Sequence, residues 1–131
     1  MKKKYQGIDR RKFVRLDYVS PLVYKICKKE NIDKLLKGNT SNISESGMLC
    51  NMEDKVNEDD ILWLSFDKES IEFCKKLEET SLVYQGGVVG KVVRVEQKQD
   101  GKYNVGIRFI TREEYNSTHI YPQIYFLDEK N

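Results

Sequence analysis

The sequence predicts an all-β domain, a sandwich or small barrel of short antiparallel strands with a helix at its C-terminal end. Three observations carry this. Short apolar runs bounded by turn residues recur along the chain. Val88 to Gln97 and Tyr103 to Ile110 alternate in polarity on either side of Gln99-Asp100-Gly101-Lys102, a hairpin signal of the Asp-Gly kind. Thr111 followed three residues later by Glu114 forms a capping box, which starts a helix.

Taken in order, residues 1–12 have almost no apolar content and read as a flexible basic segment, with the folded body spanning 13–131. Ser20-Pro21 marks a break, because proline disfavours helix in the residue before it. Leu22 to Cys27 reads as the first strand, Asn31-Ile32-Asp33 as a turn, and Asp33 to Asn42 as the second strand. Ser44 to Gly47 turns the chain, and Gly47 to Met52 leads out as the third strand. Glu53 to Asp60 is an acidic connection, and Ile61 to Phe66 is a short, bulky apolar run of the kind found in buried strands. Trp63, the only tryptophan, is expected to pack in the core.

Residues 68–80 admit two readings. Ile71, Cys74 and Leu77 recur at helical spacing, whereas Ile71 and Phe73 alternate with Glu72 as in a strand. Gly86-Gly87 signals a hinge or bulge. Beyond it, Val93 and Val95 are expected on one face of their strand, and Val105, Ile107 and Phe109 on one face of the next. The final helix begins near Arg112, carries Tyr115, Ile120, Ile124 and Phe126 as its apolar positions, and is expected to kink between His119 and Pro122.

Composition narrows the function classes. Charged residues make up 34% and apolar residues 39% of 131 positions, which suits one small domain. Net charge is +2, so no global field attracts a nucleic acid polymer. The positive charge is local: Lys2, Lys3, Lys4, Arg10, Arg11, Lys12 and Arg15 precede residue 16, with Asp9 the single acid among them. Cys27, Cys50 and Cys74 are odd in number and match no zinc spacing, so they read as buried, reduced thiols of a cytosolic protein. No apolar stretch follows the basic N-terminus as in a signal peptide, and no window is long enough to span a membrane. His119, the only histidine, has no partner at a triad or metal spacing, and no glycine-rich loop is followed by the Lys and Ser or Thr of a P-loop. Acidic pairs such as Asp59-Asp60 and Glu78-Glu79 read as solvated surface.

Two short stretches remain. Arg11 and Arg15 lie four residues apart, roughly 13 Å in an extended segment at ~3.3 Å per residue, the span of a dinucleotide-sized anion. The guanidinium fork meets phosphate or the O6/N7 edge of guanine through two parallel hydrogen bonds. About thirty residues on, Asn42 and Ser44 share one face of an extended chain and offer amide and hydroxyl groups. Gly47 permits positive φ or close backbone approach.

In this order and spacing the two stretches resemble the PilZ domain, a bacterial receptor module for cyclic di-GMP. The family carries Arg-x-x-x-Arg before its first strand, then Asp or Asn, any residue, Ser, any two residues, and Gly. Here these positions are Arg11 and Arg15, then Asn42, Ser44 and Gly47. Gly90 to Val95 and Tyr103 to Ile110 look like the family's last two strands, so the resemblance spans about residues 9–126.

The resemblance implies a six-stranded antiparallel β-barrel of the split type with a C-terminal α-helix. It implies a cytosolic cyclic di-GMP receptor without catalysis, cofactor or metal, acting through an unidentified protein partner. By the same resemblance, Arg11 and Arg15 would grip phosphate and guanine, Asn42 and Ser44 would meet the guanine edge, and Gly47 would shape the turn. Arg10 and Arg108 are secondary candidates, Arg10 because an arginine there goes in the family with a stacked ligand dimer. The alternative is a PilZ-like adaptor that binds protein and no nucleotide. A single-stranded RNA or DNA binder is a third reading, disfavoured by the near-neutral charge.

Overall fold

The computed structural model describes residues 16–118. The strands are β1 (Leu16–Asp17), β2 (Pro21–Ile26), β3 (Leu36–Ile43), β4 (Gly47–Met52), β5 (Ile61–Phe66), β6 (Val83–Tyr84), β7 (Gly87–Gln97) and β8 (Tyr103–Phe109). A 3₁₀ turn (Lys68–Ser70) and helix α1 (Cys74–Thr80) follow β5, and helix α2 (Arg112–Thr118) follows β8. Every strand pairing is antiparallel, and β2, β3, β4, β8, β7 and β5 pair in a closed circuit back to β2. That ring is the six-stranded barrel. Closure leaves it no free sheet edge. The two-residue strands β1 and β6, unforeseen in the sequence, add to β3 and β7.

Alternation builds the core. On β8, Val105, Ile107 and Phe109 are buried between partly exposed neighbours. On β2, Leu22, Tyr24 and Ile26 do the same. These side chains meet Leu62, Leu64, Val88 and Val92 inside the ring. A second cluster, with Cys27, Ile32, Ile61, Val89 and Ile110, has Trp63, Leu82, Tyr84 and Tyr115 packed against it. Ile61 and Val89 alternate with the interior residues of β5 and β7, so this cluster lies on the outer face of those strands. Covered on both faces, Val88 and Val89 are both fully buried, which is why strict alternation fails at the start of β7. Trp63 therefore packs outside the barrel, its Nε1 donating to the Tyr84 carbonyl at 2.6 Å.

Several boundaries move. The second strand starts at Leu36 rather than Asp33, because residues 28–33 are occupied by turns. Residues 74–80 are helix, so the strand alternative for that stretch is overturned. Ile71 and Leu77 join the barrel core, while Cys74 is only partly buried. Gln85-Gly86 is a two-residue hairpin turn with φ of 50° and 79°, not a bulge. The bulge in β7 falls at Val93, between the pairs Val92–Ile107 and Arg94–Gly106. It leaves Val93 half exposed, whereas Val95 packs partly against the core, so the two valines do not share a buried face.

The β7–β8 turn closes with Gly101 N donating to Lys98 O at 3.0 Å and Lys98 N to Lys102 O at 2.8 Å. Gly101 sits at φ 88°, where a side chain would be strained. The capping box is formed: Glu114 N donates to Thr111 Oγ1 at 2.9 Å, and Thr111 N to Glu114 Oε1 at 3.3 Å. Ile120, Ile124, Phe126, the expected kink at His119 to Pro122 and the boundary at residue 12 lie outside the described residues.

Two outcomes test this packing. Leu77→Ala should lose ~2–5 kcal/mol of unfolding free energy in urea, since Leu77 is fully buried, while exposed Glu79→Ala on the same helix should stay within ~0.5 kcal/mol. Burial pushes the Cys27 and Cys50 thiols from 9.0 up to about 12. Raised folded-state values stabilise the fold fully below the unfolded thiol value and lose that contribution as pH climbs toward the folded value. Urea midpoints should therefore fall between pH 9.0 and about 12, and a Cys27→Ala, Cys50→Ala double variant should show a shallower fall.

Candidate functional site

The turn between β3 and β4 is fixed by its own hydroxyls and by β8. Ser44 N donates to Gly47 O at 2.8 Å, closing the hairpin around Glu45-Ser46. Ser44 is buried, and its Oγ accepts from Ser46 N at 3.3 Å and lies 3.2 Å from Ser46 Oγ. Phe109 N donates to Ser46 O at 2.8 Å, which straps the turn to the end of β8. Gly47 pairs with Arg108 across that contact. A Cβ added at Gly47 would run into the Ile107 carbonyl oxygen. Glycine is needed here for close approach of β4 to β8 and not for positive φ, which Gly47 does not have.

Asn42 reaches the outer face through a bulge. The β3–β4 register shifts between Thr40 and Asn42, so Ser41 is the extra residue. Thr40 and Ile43 are both fully buried, and Asn42 between Ile43 and the bulge faces outward. Its Oδ1 is nonetheless shielded from solvent and has no hydrogen-bond partner among the described residues. An acceptor left unsatisfied in this way costs about 1–3 kcal/mol. Ser44, just beyond the end of β3, is buried in the turn, so the strand alternation expected to set it on one face with Asn42 does not extend to it.

Beside Asn42 the chain enters the barrel. Asp17 pairs with Asn42 and Leu16 with Ile43, which sets β1 along the site's edge. Thr40 Oγ1 donates to Tyr18 O at 2.6 Å, Tyr18 N donates to Ser41 O at 3.0 Å, and the Tyr18 hydroxyl donates to the Asp67 carbonyl. The segment carrying Arg10, Arg11 and Arg15 lies outside the described residues. It is joined to the barrel at this anchored strand.

Register places further residues in line with Asn42. Asn42 pairs with Leu49, Leu49 with Gly106, and Gly106 with Arg94. These four outward positions form one row across β3, β4, β8 and β7. Three strand spacings of ~4.8 Å make it about 14 Å long. Gly106 has no side chain, so the floor between Leu49 and Arg94 is low. Arg94 is exposed and, among the described residues, makes no hydrogen bond or ion pair. The sequence alone did not single out Arg94, Leu49 or Gly106. Their only local signal is the alternation of β4 and β8, and the Val93 bulge breaks it for Arg94.

The next row runs Lys91, Arg108, Gly47. Arg108 is engaged: its Nη1 and Nη2 donate to Glu114 Oε1 and Oε2 at 3.0 and 3.1 Å. It also lines a cleft of about 710 Å³ between the turn, α1 and the start of α2, shared with Glu45, Lys76, Glu79 and Arg112. Among the described residues no group of three or more His, Cys, Asp or Glu side chains is placed to hold a metal ion. No helix among them is long and apolar enough to cross a membrane.

The family model described as PilZ domain matches residues 9–125. The chain belongs to the PilZ domain family. No curated protein matches it at a significant level. The PilZ barrel is also seen in its structural neighbours. The PilZ domain of YcgR from Escherichia coli, solved with c-di-GMP, superposes with a TM-score of 0.52 at 12% identity, covering 93% of each chain. The inhibitor of motility MotI/DgrA from Bacillus subtilis gives 0.56 at 16% identity, covering 94% of this chain and 52% of that one. The MrkH–c-di-GMP complex from K. pneumonia gives 0.51 at 12% identity, covering 95% and 55%. The PilZ chain thus spans about half the length of MotI/DgrA and MrkH.

The close approach at Gly47 has a direct test. Gly47→Ala should destabilise the PilZ barrel by ~1–3 kcal/mol, the range for forcing a methyl into a packed site, with the urea midpoint as readout. Gly106→Ala, where the added Cβ meets Arg94 Cβ no closer than 3.6 Å, should cost much less.

Proposed function

We propose that this PilZ domain is a receptor for cyclic di-GMP that acts without catalysis. In this reading the N-terminal Arg10, Arg11 and Arg15 segment closes over a dinucleotide laid against the outer face of β3, β4, β8 and β7, and the closed segment alters a surface read by a protein partner. Family membership and the complete set Arg11, Arg15, Asn42, Ser44 and Gly47 support it. Two structural neighbours were solved with this ligand.

The observation that carries the reading is the orphaned Asn42 Oδ1. A shielded acceptor on an outer face, next to the strand that leads to the arginines, asks for a donor from outside the domain. The Watson–Crick edge of guanine supplies two, its ring N–H and its amino group. Ser44 is beside it. The row from Asn42 to Arg94, about 14 Å, accommodates a dinucleotide and ends on a guanidinium. Leu49 offers an apolar floor for a base.

Closing the arm orders backbone at about 1–2 kcal/mol per residue, so affinity is expected to be modest for so many charged contacts. A partner contacting the closed arm would sense the ligand without touching it.

Calorimetry and thermal melts with cyclic di-GMP test this. Free ligand at ~100 times Kd should add about 2.7 kcal/mol of stability. Arg11→Ala and Arg15→Ala should each weaken binding ~10- to 100-fold, from loss of charge-assisted hydrogen bonds of about 1.5–3 kcal/mol. Lysine at either position should restore little, since it lacks the planar fork. Asn42→Leu should separate stability from binding. It removes the orphaned acceptor and should raise the free domain's stability by roughly 1 kcal/mol while weakening the ligand. Tryptic cleavage at Arg10, Arg11 and Arg15 should slow at saturation. An unmoved melt with no heat of binding sinks the receptor reading and leaves the adaptor.

A further inference from the structure

Arg108 is a candidate ligand residue whose donors are already taken by an anion of the chain itself. Both terminal nitrogens donate to the two carboxylate oxygens of Glu114, at 3.0 and 3.1 Å. This is the paired geometry in which a guanidinium meets a phosphate. We propose that Glu114 occupies the position of a ligand phosphate in the free domain, and that bound cyclic di-GMP takes the Arg108 guanidinium away from it. This rests on the cyclic di-GMP reading above.

Three features make the exchange work. Arg108 pairs with Gly47, so its backbone lies one strand spacing, ~4.8 Å, from the motif turn. The ion pair is partly solvated, with side chains 41% and 22% exposed, so a phosphodiester can compete for it at little cost. The same carboxylate also serves α2: its Oε1 accepts from Thr111 N at 3.3 Å, and Glu114 N donates back to Thr111 Oγ1. Glu114 therefore links β8 to the first turn of α2. Losing Arg108 leaves α2 held by Tyr115 on the outer cluster and by Arg112, which donates to the carbonyls of Ser81 and Glu78 at 2.9 and 2.7 Å. Ligand arrival would thus loosen α2 directly from β8, a route separate from the N-terminal arm.

Glu114→Gln is the informative change. Glutamine serves at the third helical position of a capping box as glutamate does, so α2 keeps its start. The charge that retains Arg108 is gone. Cyclic di-GMP should bind this variant ~2- to 5-fold tighter than wild type, the ratio expected from an exposed ion pair. Arg108→Ala should bind more weakly, and adding Glu114→Gln to it should give no gain. Glu79→Gln, the same charge change on the cleft's α1 side, should leave affinity unaltered. In the wild type, hydrogen exchange at the amides of residues 112–116 should speed up at ligand saturation. Wild-type binding with unchanged affinity in Glu114→Gln, or unchanged exchange in α2 at demonstrated saturation, overturns the exchange and leaves the receptor reading standing. No binding by the wild type removes both.

Discussion

The close approach of β4 to β8 at Gly47 is the contact on which the rest depends. β4 is the strand that joins the β3 end of the circuit to the β8 end. Without it the ring is an open sheet with two unpaired edges. The approach leaves no room for a side chain beside the Ile107 carbonyl, so the sequence must place glycine there. Once closed, the turn at Ser44 to Gly47 is tied to β8 by the Phe109–Ser46 hydrogen bond. The same glycine that completes the barrel thus fixes the candidate site against Arg108.

Two bulges then decide what the outer face presents. The extra residue at Ser41 resets β3 so that Ile43 fills the core while Asn42 faces out. The extra residue at Val93 brings Arg94 into register with Gly106. Each bulge breaks the regular ladder, and each sits on a strand that borders the proposed ligand. The core tolerates this because β2, β4 and β8 keep their alternation and because Ile71 and Leu77, before and within α1, add to it. Stability is held in the interior, and the outer face carries an unsatisfied acceptor and an arginine without a partner among the described residues. That division suits a binding surface, where groups left wanting in the free protein are satisfied by the ligand.

Much of the fold was legible because it is local. The β7–β8 hairpin follows from Asp100-Gly101 between alternating runs, β4 and β5 from short apolar segments, and the start of α2 from Thr111 and Glu114. Asn42, Ser44 and Gly47 were legible as a spaced set. The helix at Cys74 to Thr80 was not decided by its pattern, because both readings bury Ile71, and it took contact with the barrel core to select one.

The sequence by itself determined most of the long strands, though not all their boundaries, the turn residues that join several of them, and which side chains carry hydrogen-bonding chemistry. These depend on neighbours within a few positions. Only the tertiary structure decided which of those side chains meet. Asn42 and Arg94 stand fifty-two positions apart in the chain and share a row through two intervening strands. Arg108 and Glu114 are close in sequence, yet they pair because β8 ends at Phe109 and the chain has entered the first turn of α2 by Glu114. Register sums a bulge, a turn length and a pairing partner over distant segments, and no local pattern encodes that sum.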